Sequence, residues 1–130
     1  MKYLLDTHIV LWIAENSPKL TNAAKAAVID ETNEKYVSIA SCWEVAIKLS
    51  LNKLLLTGGI AEFFRIINEN GFHLLQVMEE HLFVLEALPF YHRDPFDRLL
   101  IATAMSEKMI ILTDDSQIIA YAGDDLTVTS

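Results

Sequence analysis

The chain has 130 residues, 52% of them hydrophobic, and a mean hydropathy of +0.29, enough apolar material for one domain spanning 1–130 with a substantial core. No apolar run approaches the roughly 20 residues needed to cross a bilayer, and the only cysteine, Cys42, excludes an internal disulfide and a cysteine-based zinc site. The formal charge of −8, with only 10 Lys and Arg, opposes a broad basic face for phosphate. Either the acids gather around cations or the substrate is not a nucleic acid.

The predicted elements alternate between strand and helix. Tyr3–Leu5 reads as a buried strand; Asp6 and His8 interrupt what would otherwise resemble the apolar core of a signal peptide, which leads us to expect a cytoplasmic protein. A second strand is expected at Tyr36–Ile39, followed by a helix in which Cys42, Val45, Ala46 and Leu49 repeat at helical spacing. Ile60, Phe63, Phe64 and Ile67 mark another helix, stopped by Asn70-Gly71. Next come a strand at Phe72–Val77 and a helix through Leu82, Leu85 and Leu88, ending near Pro89. The stretch from Phe96 to Met105 is apolar almost all round, as a helix buried between a sheet and a neighbour would be. Strands at Met109–Leu112 and Leu126–Val128 complete the pattern. Such alternation predicts a parallel or mostly parallel sheet covered on both faces, an α/β sandwich.

The acids are placed where such a fold presents ligands. Asp6 directly follows the first strand, Glu44 opens the helix after the second, Asp94 and Asp97 open the Phe96–Met105 helix, and Asp115 follows the Ile110-Ile111-Leu112 run. Open parallel sheets bind ligands beyond the carboxyl ends of their strands. Carboxylates gathered there repel one another unless protonated or bound to cations. Hard divalent ions favour oxygen ligands, and a pair of them ~3.5–4 Å apart can activate water for phosphodiester hydrolysis. Each acid also has a structural role to fill. Ser41-Cys42-Trp43-Glu44 has the spacing of a capping box, and Glu44 can pair with Lys48 four residues on. Asp94-Pro95 reads as an N-cap followed by proline at the first helical position, with Arg98 placed to pair with Asp94. Asp97 suits a helix N-terminus, and Asp114-Asp115 suits a turn.

Four stretches together resemble the PIN-domain family, in particular VapC-like toxins: Leu4-Leu5-Asp6-Thr7-His8, Ser41 to Lys48, His92-Arg93-Asp94-Pro95-Phe96-Asp97-Arg98-Leu99-Leu100-Ile101-Ala102, and Leu112-Thr113-Asp114-Asp115. They follow the family's order from Met1 to about Tyr121, and the third carries most of the specificity. The resemblance implies a three-layer sandwich around a five-stranded parallel sheet. It implies a Mg²⁺- or Mn²⁺-dependent endoribonuclease that dimerises and is neutralised by a cognate antitoxin. Asp6, Glu44, Asp97 and Asp115 match the family's four acids, and Asp94 is an additional acid. Thr7 and Thr113 are candidates for orienting carboxylates or waters. Arg93, Arg98 and Lys48 are the basic residues nearest the acids and the candidate phosphate contacts.

His8, His73, His81 and His92 share no metal-ligand spacing; His8 is expected to cap or pack the first helix and His92 to lie at the rim of the site. Trp12 and Trp43 are expected in a core or interface. The alternative is a non-catalytic acidic module resembling a receiver, although Asp6 stands alone after the first strand and Phe72–Val77 ends in Met78-Glu79-Glu80 rather than in a phosphoacceptor aspartate. A haloacid-dehalogenase-type phosphatase needs an aspartate where His8 stands. No phosphate-binding glycine motif occurs among four glycines.

Overall fold

The structure, a computed structural model, describes residues 1–121 and the strand backbone at 128–129. In chain order the elements are β1 (Lys2–Leu5), α1 (Thr7–Glu15), α2 (Asn22–Ile29), β2 (Glu34–Ser38), α3 (Ile39–Ser50), α4 (Gly59–Glu69), β3 (His73–Leu75), α5 (Glu79–Ala87), α6 (Pro95–Glu107), β4 (Ile110–Leu112), α7 (Ser116–Ile119) and β5 (Val128–Thr129). The five strands form one sheet in the order β3-β2-β1-β4-β5, and every neighbouring pair is parallel. This is the five-stranded parallel sheet that the resemblance implies.

Strand periodicity of two sorts the core into two layers. Leu5 and Leu112 face one side, where they pack with Ile9, Val10, Val37, Val45, Phe63 and Ile67 from the first half of the chain. Leu4 and Ile111 face the other, against Leu100, Ile101, Ala104 and Ile118. Helices therefore cover both faces of the sheet, completing the three layers. Among the described residues no helix is long and apolar enough to cross a membrane.

Several expectations are corrected. The second strand starts earlier and stops at Ser38, because the Ser38 side chain accepts a hydrogen bond from the Ala40 N–H and caps α3, which therefore begins at Ile39. Ser41 then lies inside the helix, so the Ser41–Glu44 capping box does not form. The β3 strand is confined to His73–Leu75 at the sheet edge, where Leu74 is exposed. In α5 the leucine spacing does not mark the buried stripe. Leu82 is half exposed, Leu88 is buried only after the helix ends, and the fully buried side chain is His81. His81 Nδ1 accepts from the Met78 N–H, while its Nε2 lies 3.0 Å from Glu107 at the end of α6. The Ala-rich α2 buries only Ala24 and so gave no apolar stripe to read; its N-terminus is fixed by Thr21, which accepts from the Ala24 N–H. In the last expected strand, Leu126 lies outside the described residues.

Ser38→Ala should lower stability by about 1 kcal/mol, the usual worth of such a cap. The expected signature is an earlier urea midpoint with an unchanged slope.

Candidate active site

The register sets the carboxyl ends of the central strands level: Leu5 pairs with Leu112, and the Asp6 N–H donates to the Leu112 carbonyl at 3.0 Å. Since β2 and β3 continue to one side of β1 while β4 and β5 lie on the other, the topological switch point falls between β1 and β4. Asp6 and Thr113 are the residues that emerge there.

Asp6 is buried and occupies the N-cap position of α1, yet its side chain makes no capping bond. Instead its Oδ2 accepts a 2.7 Å hydrogen bond from the Thr113 hydroxyl. The same hydroxyl oxygen accepts from the Asp115 N–H at 3.1 Å, so one threonine ties the first acid to the last. Thr7 does the equivalent work on the neighbouring side, donating to Glu44 Oε1 at 2.8 Å; Lys48 holds Glu44 Oε2 at 3.2 Å, the expected i, i+4 pair. Both threonines thus hold carboxylates.

Asp97 enters from α6. Asp94 caps this helix as its spacing predicts, with Oδ1 accepting from the N–H groups of Phe96 and Asp97 at 2.8 and 3.1 Å and Pro95 in the first turn. The cap sets Asp97 one turn in, where its Oδ2 lies 2.7 Å from His92 Nε2. Asp115 caps α7 by accepting from the Gln117 N–H at 2.9 Å. His92, Asp97 and Asp115 each present a ligand atom within 4.8 Å of the others. Asp94 is not in that group, and its carboxylate serves the helix.

The electrostatics record this crowding. Burial is the main cause of a raised Asp6 pKa, with Glu44 adding to it, against the Thr113 bond and His8, which lower it. Burial also pushes the Asp97 carboxyl up to about 6 against its contact with His92, and the carboxylates of Asp94, Asp6 and Asp115 add to the rise. Carboxyls held together with so little nearby positive charge suit a divalent cation. An oxygen-rich set with one imidazole is a donor set that divalent cations accept.

The basic residues divide. Lys48 and Arg93 are partly or fully exposed. Arg98 is a correction: it is buried and turned away from Asp94, with Nη1 donating to the Pro89 carbonyl and the Tyr121 hydroxyl at 3.1 Å and its guanidinium 3.8 Å above the Phe90 ring. With its donors taken up by the protein, it is not available to a phosphate. Trp43 is not in the core: it is 62% exposed and meets Phe96 edge-on at 5.2 Å. His8 is exposed and stacks on Trp12 at 6.1 Å rather than capping α1. His92, expected at the rim, lies within the acid cluster. Its spacing to Asp97 resembles no ligand motif, because a loop and a cap bring the two together, and no local sequence signal marks it.

A parallel α/β sandwich with carboxylates from β1, α3, α6 and the β4–α7 turn at its switch point defines a class of acid-centred, metal-binding domains. A family model described as the PIN domain matches residues 3–124, and the chain belongs to that family. PIN domains are metal-dependent nucleases. The fold is similar to the VapBC2 structure from Rickettsia felis bound to a DNA fragment from their promoter, at 15% identity, TM-score 0.73 and coverage of 99% of this chain and 98% of that one. It is also similar to VapBC-1 from nontypeable Haemophilus influenzae, at 18% identity, TM-score 0.68 and coverage of 99% and 97%. A third similar structure is VapBC-5 from Mycobacterium tuberculosis, a member of the VapBC family of toxin-antitoxin systems, at 14% identity, TM-score 0.64 and coverage of 98% and 96%. No curated protein sequence matches the chain.

The raised Asp97 pKa fixes the sign of a pH effect. Between the ordinary value of 3.8 and about 6, the folded state keeps a proton that the unfolded chain has released, so metal-free stability falls as pH rises through that window. Asp97→Asn should reduce the slope and raise the metal-free Tm at neutral pH, leaving Asp6 as the remaining source. Thermal melts in chelator across the window measure this, and an unchanged slope removes Asp97 as the cause.

Proposed function

We propose that the chain is a metal-dependent endoribonuclease acting in the cytoplasm, the toxic member of a toxin–antitoxin pair silenced by a cognate antitoxin. The observation that carries this reading is the convergence of Asp6, Glu44, Asp97 and Asp115, from four separate elements, on the switch point of a PIN fold. Asp6, Asp97 and Asp115, with His92 and Glu44 beside them, are the residues that would hold Mg²⁺ or Mn²⁺. Such an ion supplies an activated water and charge neutralisation at the scissile phosphate.

The chain's own residues supply orientation. Thr113 fixes Asp6 Oδ2 and the Asp115 backbone together, and Thr7 and Lys48 fix the two oxygens of Glu44. Hydroxyl donors at both buried acids hold the charged form in place without placing a competing cation beside Asp6. Lys48, paired with Glu44, and the exposed Arg93, next to Asp94 in the chain, are the basic residues we assign to RNA phosphates. Together with the acids at the site, this accounts for a nuclease of charge −8: part of the negative charge belongs to the site itself.

The antitoxin reading rests on the same charge. A basic side chain in the cleft competes with the ion for these carboxylates, and a guanidinium fork suits them. Exposed Leu82, Phe83, Phe90 and Tyr91 offer apolar surface for the homodimer we infer from the family.

Purified, antitoxin-free protein should cleave defined RNAs with Mg²⁺ or Mn²⁺ and not in chelator. Asp6→Asn should abolish both cleavage and the Tm gain on adding Mn²⁺. A wild type that neither gains stability in millimolar metal nor cuts RNA overturns the reading. Glu44→Gln keeps a hydrogen-bond acceptor for Thr7 but loses the charge. It should lower turnover strongly with little change in Tm, and near-normal cleavage would strike Glu44 from the site.

A further inference from the structure

We propose that Arg98 and Tyr121 form a clamp that positions His92 against Asp97, making them positioning residues and His92 a working member of the site. The inference rests on the nuclease reading above for its catalytic consequence, but its geometry stands apart from it. The segment between α5 and α6, from Leu88 to Arg93, has no regular ladder to hold it. Its backbone is instead gathered by two side chains. Arg98, one residue beyond Asp97 on α6, is buried and reaches back to the Leu88, Pro89 and His92 carbonyls at 3.3, 3.1 and 3.4 Å, and to the Leu85 carbonyl at 3.4 Å. Tyr121, just beyond α7, donates its hydroxyl to the Pro89 carbonyl at 2.6 Å. That oxygen accepts from the Tyr91 and His92 N–H groups and from Arg98 Nη1, all at 3.1 Å.

The Tyr121 hydroxyl therefore bonds backbone groups of Pro89, Tyr91 and His92, while Arg98 bonds the carbonyls of Leu88, Pro89 and His92 itself. Phe90 lies against the guanidinium and the Tyr91 ring lies 5.1 Å from that of Tyr121, so the turn is also packed from outside. What the clamp fixes is the imidazole, whose Nε2 is 2.7 Å from Asp97 Oδ2 and within 4.8 Å of the Asp115 ligand atom. The clamp also spans the elements that bear these groups: Arg98 follows Asp97, and Tyr121 follows the single turn that Asp115 caps. A buried arginine with this many carbonyl partners also staples the turn. The distinguishing feature is that the loop it holds delivers one side chain to the acid cluster.

Tyr121→Phe removes only the hydroxyl and keeps the ring, and His92→Ala removes the delivered group. Outer partners that orient site ligands typically matter by about tenfold or more in metal affinity or activity. Tyr121→Phe should accordingly lower Mn²⁺ affinity, measured by titration calorimetry, and kcat by about tenfold, with KM little changed. In the His92→Ala background the same change should cost little more, because both act through one imidazole. Arg98→Lys, if it folds, should behave as Tyr121→Phe does. In the metal-free protein, Tyr121→Phe should shift the His92 ring resonances in a ¹H–¹⁵N spectrum and leave those of His81 in place. Additive losses in the double variant, or a fall in Tm with unchanged Mn²⁺ affinity and unmoved His92 resonances, overturn the proposal. A wild type that does not cleave RNA overturns the nuclease reading instead, and the His92 resonances then decide the clamp alone.

Discussion

The site depends first on strand register. In a parallel sheet a slip of one residue would move every side chain of a strand to the opposite face. With Leu5 opposite Leu112, the apolar residues of β1 and β4 fill both layers, and the residues after them leave the sheet level with each other. The hydrophobic core thereby determines where Asp6 and Thr113 meet. Chemistry at the edge is a by-product of packing in the middle, which is why it needs no strained backbone in β1 or β4.

Burial at that edge is polar rather than apolar. Asp6, Thr7, Ser38, Ser41, Glu44 and Thr113 are all buried, and they lie at or just beyond the carboxyl ends of β1, β2 and β4. Groups like these are costly unless satisfied, and the Thr7–Glu44 and Thr113–Asp6 bonds meet that demand for the acids. No buried side-chain polar atom among the described residues lacks a partner. The charge conflict is not relieved so fully: hydroxyl donors orient a carboxylate, but they bring no positive charge. Lys48 offsets the charge of Glu44, while Asp6 and Asp115 are oriented by hydroxyl and backbone groups without an ion-pair partner among the described residues.

The sequence made the layers and most acids legible, because both depend on short-range rules. Apolar runs ending in an acid located the carboxyl edge, and Asp94-Pro95 located the start of α6 and with it Asp97. What stayed hidden depends on side chains reaching across the fold. Arg98 follows Asp97 and so reads as a candidate for the cleft, but the helical turn of 100° per residue carries it round onto another face, toward α5. His92 shows the reverse case, a residue with no local motif brought in by a loop. Ser38 displaced Ser41 as a cap because several serines compete for that task, and only the backbone geometry selects one. In α5 the leucine spacing misled, since His81 takes the buried position by bonding to both Met78 and Glu107.

The hydrogen bond between Thr113 and Asp6 joins residues 107 positions apart. Between them the chain must lay down β2, β3 and β4 and all helices from α1 to α6. Contacts of such long range form late, after the loop between them has been ordered. A ribosome extends the chain from the N-terminus, so the first acid emerges early and waits, without its orienting hydroxyl, until nearly every other element has been made. The Asp6 carboxylate thus gains its orienting hydroxyl only once nearly the whole sheet is in place, so the completed site reports a completed fold.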